Sequence, residues 1–273
     1  MTDPKWRSET KHEGSPSAKS ARFFRPELDT LRFGAFLLVF SSHVLPKSRE
    51  EYGSIPTWLA EFSILWSRIG GFGVDLFFLL SSYLITELLV REQQRFGRID
   101  VKLFYLRRAL RIWPLYFTFV LAGLFILPKF WRDLGIGSQE ALSYLTFTNN
   151  WFISWAGHVG DNIIMGPLWS VSIEEQFYVT WPLLLAIFGM RRVPLLAMVM
   201  LVLAIAARVC LQATNAAPAA IWTNTFARLD PIAIGALMSI TLRGRSPSLS
   251  LAVRISLSLA GLAAWLVGRS RPH

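Results

Sequence analysis

The sequence predicts an all-α protein, a polytopic bundle of transmembrane helices. Three observations carry that prediction. Of its 273 residues, 53% are hydrophobic and 17% are charged, against about a quarter charged in an ordinary globular chain. The apolar residues fall into blocks near the roughly 20 residues that a helix needs to cross the hydrocarbon core. Arg and Lys collect in alternate connections between those blocks. Composition also excludes a disordered chain, a coiled coil and a soluble enzyme of ordinary make-up. The single cysteine, Cys210, rules out a disulfide scaffold, a structural zinc site and an iron–sulfur cluster.

Residues 1–21 are polar and read as a disordered cytoplasmic tail without the apolar core of a signal peptide. The remainder, 22–273, reads as one membrane-embedded domain whose apolar blocks are 28–45, 72–90, 112–127, 167–190, 193–211, 219–242 and 249–267. The first contains Asp29 and Arg32, and Arg32 can snorkel to the interface. The second follows Gly70, Gly71 and Gly73. The third carries no charge. The fourth and fifth meet at a short turn around 190–194, which makes them antiparallel neighbours. The sixth holds Arg228 and Asp230, and the seventh Arg254 with several serines. The connection 128–166 holds Trp131, Trp151, Phe152 and Trp155, as expected where a loop lies partly in the interface.

The net charge of +10 raises two possibilities, nucleic acid or an anionic membrane face, and its pattern decides for the membrane. Lys5, Arg7, Lys11, Lys19, Arg22, Arg25 and Arg32 precede or open the first block. Arg91, Arg95, Arg98, Lys102, Arg107, Arg108 and Arg111 lie between the second and third. Arg191 and Arg192 follow the fourth, Arg243 and Arg245 the sixth. The opposite connections balance Lys47, Arg49, Arg68, Lys129 and Arg132 against Glu50, Glu51, Glu61, Asp133 and Glu140. The positive-inside rule therefore puts the N-terminus in the cytoplasm and 128–166 outside. No nucleic-acid partner is implied; membrane lipids are.

Charged groups within membrane helices are expensive and mark functional sites. His43 lies 11 residues after Arg32, roughly 16 Å further along a helix. Asp75, Glu174, Glu175, Arg208, Arg228 and Asp230 sit in the middle or outer part of other blocks, so a shared polar cavity is the economical account. Each also has a plainer reading. His43 can serve as an interfacial hydrogen bonder, and Asp75 can cap its helix after the three glycines. Glu174 and Glu175 point about 100° apart, so one cavity takes only one of them. Arg228 and Asp230 read as a structural ion pair. His12, His158 and Cys210 read as surface or packing residues.

The motifs carry a resemblance. Arg-Pro-Glu-Leu-Asp-Thr-Leu-Arg from Arg25 to Arg32, followed by an apolar run and His43, resembles the opening signature of the acyltransferase-3 family of bacterial integral membrane acyltransferases. The run Gly70 to Ile85 is similar to its second-helix signature, with Ser82 where Gly is usual. Residues Phe104 to Tyr116 resemble its basic loop and third-helix start. Pro167 to Tyr178, with Glu174-Glu175-Gln176, looks like its fourth signature, and Arg228 to Gly235 like a later one. The order is right from about Arg25 to Leu242. Thr30 and Phe33 stand where glycines are usual. Family members usually carry about ten helices against at most seven here, so the resemblance implies either a truncated copy or a minimal member.

The resemblance implies transfer of an acyl group, commonly acetyl, from cytoplasmic acyl-CoA to a hydroxyl of a cell-envelope or exported carbohydrate, free or lipid-linked. It also implies the bacterial cytoplasmic (inner) membrane. Acetyl-CoA enters as donor co-substrate, with no permanently bound cofactor and no metal. Arg107, Arg108 and Arg111 gather at the cytoplasmic start of a helix and suit its phosphates. Acyl transfer to an alcohol needs a base, and His43 is the single intramembrane histidine. Asp75 or Glu174 can orient it, or Glu175 if that neighbour faces the cavity instead. Arg32 or Arg228 can stabilise the oxyanion. Alternatively His43 itself carries the acyl group. A transporter of a small anion or glycan, or a truncated inactive relative, are the competing readings.

This topology has a direct check. Single cysteines placed in 46–56 and 128–166 should react with an impermeant thiol reagent from outside whole cells. Cysteines in the Arg91–Arg111 stretch should react only after permeabilisation. Outside labelling of that stretch would overturn the orientation.

Overall fold

The computed structural model describes residues 26–130, 135–158 and 164–243, with 250–253, 255–256 and 261 beyond them. The expected tail, 1–21, and most of the seventh block, 249–267, lie outside the described residues. The protein is all-α, and the described residues contain no strand. The helices are α1 (Pro26–Val44), α2 (Thr57–Ile69), α3 (Gly71–Phe96), α4 (Val101–Phe125), α5 (Leu127–Phe130), α6 (Ser138–Leu145), α7 (Asn149–Ala156), α8 (Leu168–Phe188), α9 (Val193–Ala213), α10 (Pro218–Thr223) and α11 (Leu229–Leu242).

Local chemistry sets the boundaries. α3 stops at Gly97, whose φ of 71° is left-handed and whose N–H bonds the Gln93 carbonyl. Asp100 then caps α4, its Oδ1 accepting from the Leu103 N–H at 2.9 Å. The third apolar block is thus the far half of a longer helix, and Arg107, Arg108 and Arg111 ride on its first three turns. A 3-10 turn, Met190–Arg192, joins α8 to α9, with Pro194 in the first turn of α9 where its missing N–H costs nothing.

Three helical stretches among the described residues are long and apolar enough to cross a membrane: Thr57–Phe96, Val101–Phe130 and Met190–Ala213. α1 and α8, of 19 and 21 residues, have the length but carry Glu27, Asp29 and Arg32, and Glu174, Glu175 and Gln176. Phe33, Phe36 and Phe40 of α1, Leu110 and Leu115 of α4, and Val202, Ile205 and Val209 of α9 all stand exposed. Apolar surface on this scale suits hydrocarbon rather than water.

Two expectations need correction. The block 219–242 is not one helix. The Asn224 side chain accepts the backbone N–H groups of Phe226 at 2.9 Å and Ala227 at 3.3 Å, a local turn that competes with the helical ladder. Beyond this turn α11 has 14 residues, about 21 Å and short of a full crossing. Conversely, the connection after α1 is not a plain loop but holds α2, which is separated from α3 by Gly70 alone.

α3 is the hub. It packs on α1, α2, α8 and, most extensively, α11. Ser82, fully buried, donates to the Ile232 carbonyl of α11 at 2.6 Å. The contact is close because Gly235 has no side chain: a Cβ there would collide with the Leu79 carbonyl. Phe78, Ile85 and Leu89 of α3 join Ile173, Trp181 and Leu185 of α8 in the core, and Trp181 donates its indole N–H to Thr86 at 2.9 Å.

Gly235→Ala should therefore push α11 off α3 and cost about 1–3 kcal/mol, read as a lower Tm in detergent. Gly34→Ala, with open space at its Cβ, is the control and should leave Tm unchanged. Equal Tm values for both would remove the close approach as a stabilising feature.

Candidate active site

The polar centre of the bundle is Glu174. On α8 it lies six residues from the helix start, about 9 Å in. Ser81 of α3 donates to its Oε1 at 2.9 Å, and the Tyr178 hydroxyl, one turn on, lies 3.0 Å from its Oε2 and 3.1 Å from Ser81 Oγ. The guanidinium groups of Arg32 on α1 and Arg108 on α4 both act electrostatically on this carboxylate. Arg108 is half-buried and lies 5.5 Å from the Tyr178 ring centroid and 5.6 Å from that of Phe104. Its planar face is thus held by rings. Arg111, on the next turn, is exposed. Arg107 points elsewhere and pairs with Glu92 at 3.1 Å.

Glu175 faces away, as the 100° rotation requires. Its Oε2 accepts from the Trp113 indole N–H at 3.1 Å, and its buried Oε1 has no partner. It looks into a separate cavity of about 750 Å³. That cavity opens where α8 and α9 diverge from their shared turn, and Phe177, Trp181, Met200 and Leu203 make it apolar.

The second charged group lies nearer the start of α3. Arg228 donates through Nη1 to Asp75 at 3.0 Å and through Nε to the Trp222 carbonyl at 2.9 Å, and stacks 3.5 Å from the Trp222 ring centroid. Asp230 pairs instead with Arg208 of α9 at 2.6 Å. The expected Arg228–Asp230 pair is therefore corrected: residues two apart do not face each other, and each finds a partner on another helix.

His43 stands apart, exposed at the end of α1. Its Nδ1 lies 2.9 Å from the Val39 carbonyl, one turn back. Ser42 Oγ lies 3.2 Å from the same nitrogen. A carbonyl only accepts, so the Val39 contact makes Nδ1 the donor, and the neutral imidazole then has its lone pair on Nε2. No acid among the described residues bonds this imidazole; Asp75 is engaged by Arg228, and Glu174 by Ser81 and Tyr178. No group of three or more His, Cys, Asp or Glu side chains able to hold a metal occurs among the described residues.

Ser81 and Tyr178 are site residues that the motifs do not single out, though both lie inside the quoted signatures. Tyr178 stands one turn from Glu174, a local signal, whereas Ser81 lies 93 positions away and has none. Gln176 is a third. Its amide donates to the Phe147 carbonyl and Asn150 Oδ1, each at 2.9 Å, and its Oε1 accepts from Thr225 at 2.6 Å and Trp151 at 3.3 Å. All four hydrogen-bonding capacities of the side chain are used. The network joins α7, α8 and the break before α11. It also holds Phe147 at a φ of 54°, a left-handed conformation that costs a non-glycine residue roughly 1–2 kcal/mol.

Comparison with known proteins adds three findings. A family profile described as an acyltransferase domain matches residues 25–271. Peptidoglycan O-acetyltransferase OatA of Listeria monocytogenes is 28% identical over 181 residues, 63% of this chain and 26% of that protein. O-acetyltransferase OatA of Staphylococcus aureus is 31% identical over 165 residues, 58% of this chain and 27% of that protein. The matched region thus spans about a quarter of the length of either relative. No solved structure matches the chain.

Gln176→Leu leaves Asn150, Thr225 and the Phe147 carbonyl without this partner, at about 1–3 kcal/mol for each buried group stranded. A large fall in Tm should result. Thr180→Ala, whose hydroxyl bonds only carbonyls of its own helix, should change it little. An unchanged Tm for Gln176→Leu would show that the network does not hold these segments together.

Proposed function

The chain belongs to the acyltransferase-3 family, and on that premise we propose that it is a membrane O-acetyltransferase that moves an acetyl group from acetyl-CoA, bound from the cytoplasm, to a hydroxyl of a cell-envelope glycan. It lies in the bacterial cytoplasmic membrane with its N-terminus inside. One observation carries this reading. Ser81 from the second signature and Tyr178 from the fourth hydrogen-bond the carboxylate of Glu174, and Arg32 from the first and Arg108 from the third act on it electrostatically. A transporter has charged residues too, but the family match favours acyl transfer.

The roles derive from chemistry. Coenzyme A is polyanionic, and Arg108, Arg111 and Arg32 form the cationic side of the cluster. The guanidinium fork suits its phosphates. Glu174, held by two hydroxyls, offsets the mutual repulsion of Arg32 and Arg108 and lets both stand beside it. His43 takes the proton of the acceptor hydroxyl on Nε2. The hydroxyl oxygen attacks the thioester carbonyl, the carbon–sulfur bond breaks, and the imidazolium returns the proton to the departing thiolate. Arg32 lies 11 residues from His43 on α1, roughly 16 Å along its axis, so it serves the phosphate side of the site and not the oxyanion.

Radiolabelled acetyl transfer from acetyl-CoA to peptidoglycan in membranes tests this. His43→Gln should insert normally and lose on the order of 10²–10⁴-fold of the rate. Arg108→Lys keeps the charge and loses the fork, so it should need a higher acetyl-CoA concentration without a change in acceptor dependence. Near-normal transfer by His43→Gln at wild-type abundance would remove the proton-handling role.

A further inference from the structure

A second pocket opens at the other end of α3, away from the Glu174 cluster. Its volume is about 700 Å³, and it lies where the last turns of α3, the Met190–Arg192 turn, the start of α9 and the end of α11 come together. Three arginines from three segments line it: Arg91, Arg191 and Arg243. Its floor holds the buried carboxylate of Glu87, which is already occupied. Arg91 bonds its Oε1 at 2.7 Å, and Ser239 of α11 lies 3.4 Å from its Oε2. Arg191 and Arg243 are exposed and have no ion pair among the described residues. The next stretch of sequence, 244–249, contains no acid to neutralise them. Arg243 also takes a left-handed φ of 45° as it caps α11, a place where glycine is the usual residue.

Besides Gln94, the rest of the lining is apolar: Val90, Met190, Pro194 and Ile240. The pocket therefore has a cationic rim over a hydrocarbon wall. Pro194 leads directly into exposed Leu195 and Met198 on the outer face of α9, so the apolar side is continuous with the lipid-facing surface. The pocket is also separate from the reaction centre. Glu87 lies six residues beyond Ser81 on α3, about 9 Å along the axis and 120° around it. Ser81 faces α8, whereas Glu87 faces α11.

We infer that this pocket binds the phosphate headgroup of an anionic membrane phospholipid, with Arg191 and Arg243 on the phosphate and Val90, Met190 and Ile240 against the first carbons of its chains. A phosphate on two exposed cations at the membrane face is favourable, and the apolar wall distinguishes a lipid from a soluble phosphate. The bound lipid bridges α3, α11 and the α8–α9 turn. The inference rests on the membrane disposition proposed above and not on acyl transfer.

Native mass spectrometry of the detergent-purified chain tests it, with dioleoylphosphatidylglycerol and dioleoylphosphatidylcholine as probes. The wild type should retain one phosphatidylglycerol at least about tenfold more tightly than phosphatidylcholine. Arg191→Gln with Arg243→Gln should abolish the preference. Arg95→Gln with Arg98→Gln removes the same charge from the same end of α3 but outside the pocket, and should keep it. Coenzyme A and inorganic phosphate should not displace the lipid. Three results would each overturn the inference: retained preference in the pocket variant, equal loss in the control variant, or displacement by a soluble phosphate. Acetyl transfer by the pocket variant, measured alongside, reports on the proposed reaction independently.

Discussion

A carboxylate in the middle of an apolar bundle is the constraint on which the rest of this structure depends. Left alone, an ionised Glu174, half-buried among the helices, would be costly to seat there. It is tolerated because Ser81 and Tyr178 supply hydroxyl hydrogens and Arg32 and Arg108 supply opposite charge. Meeting those needs draws α1, α3, α4 and α8 to one place. The ring faces of Phe104 and Tyr178 hold Arg108 in turn, so its orientation is fixed by packing as well as by charge. Arg111 remains exposed one turn away, and such an arrangement is suited to an incoming anion.

α3 distributes this order through the molecule. One face meets Glu174 through Ser81, another fits against the bare backbone at Gly235, and its start carries Asp75 to Arg228. Around it, polar side chains use their hydrogen-bonding capacity on other helices: Gln176 on α7 and on the Asn224 turn, Trp181 on Thr86, Asp230 on Arg208. Burial in an apolar medium leaves few alternatives for such groups, which is why the polar contacts rather than the apolar ones specify how these helices sit.

Much of the fold is legible in the sequence. Long apolar runs announce α3, α4 and α9, and the tight turn at Met190 announces the α8–α9 connection. The 100° rule separates Glu174 from Glu175 before either has a partner. Averaged hydropathy fails where one side chain decides the outcome. It runs straight through Asn224, whose amide oxygen ends the helix, and passes over α2, whose polar residues dilute its apolar face. Pairings between distant segments are the least legible. Asp75 meets Arg228 across 153 positions, and nothing local in either segment names the other. For His43 the sequence points to the residue, and the geometry adds the tautomer that its Val39 contact imposes.

The central claim is that Arg108 and Glu174, from different signatures, act as one unit in acyl transfer. A double-mutant cycle on radiolabelled acetyl transfer tests it most directly, using Arg108→Gln, Glu174→Gln and the double variant at matched membrane abundance. Residues that act together are non-additive. The account predicts that each single change is severe and that the double variant is no slower than the worse single one. Effects that simply multiply would contradict it, and would make the two residues independent contributors.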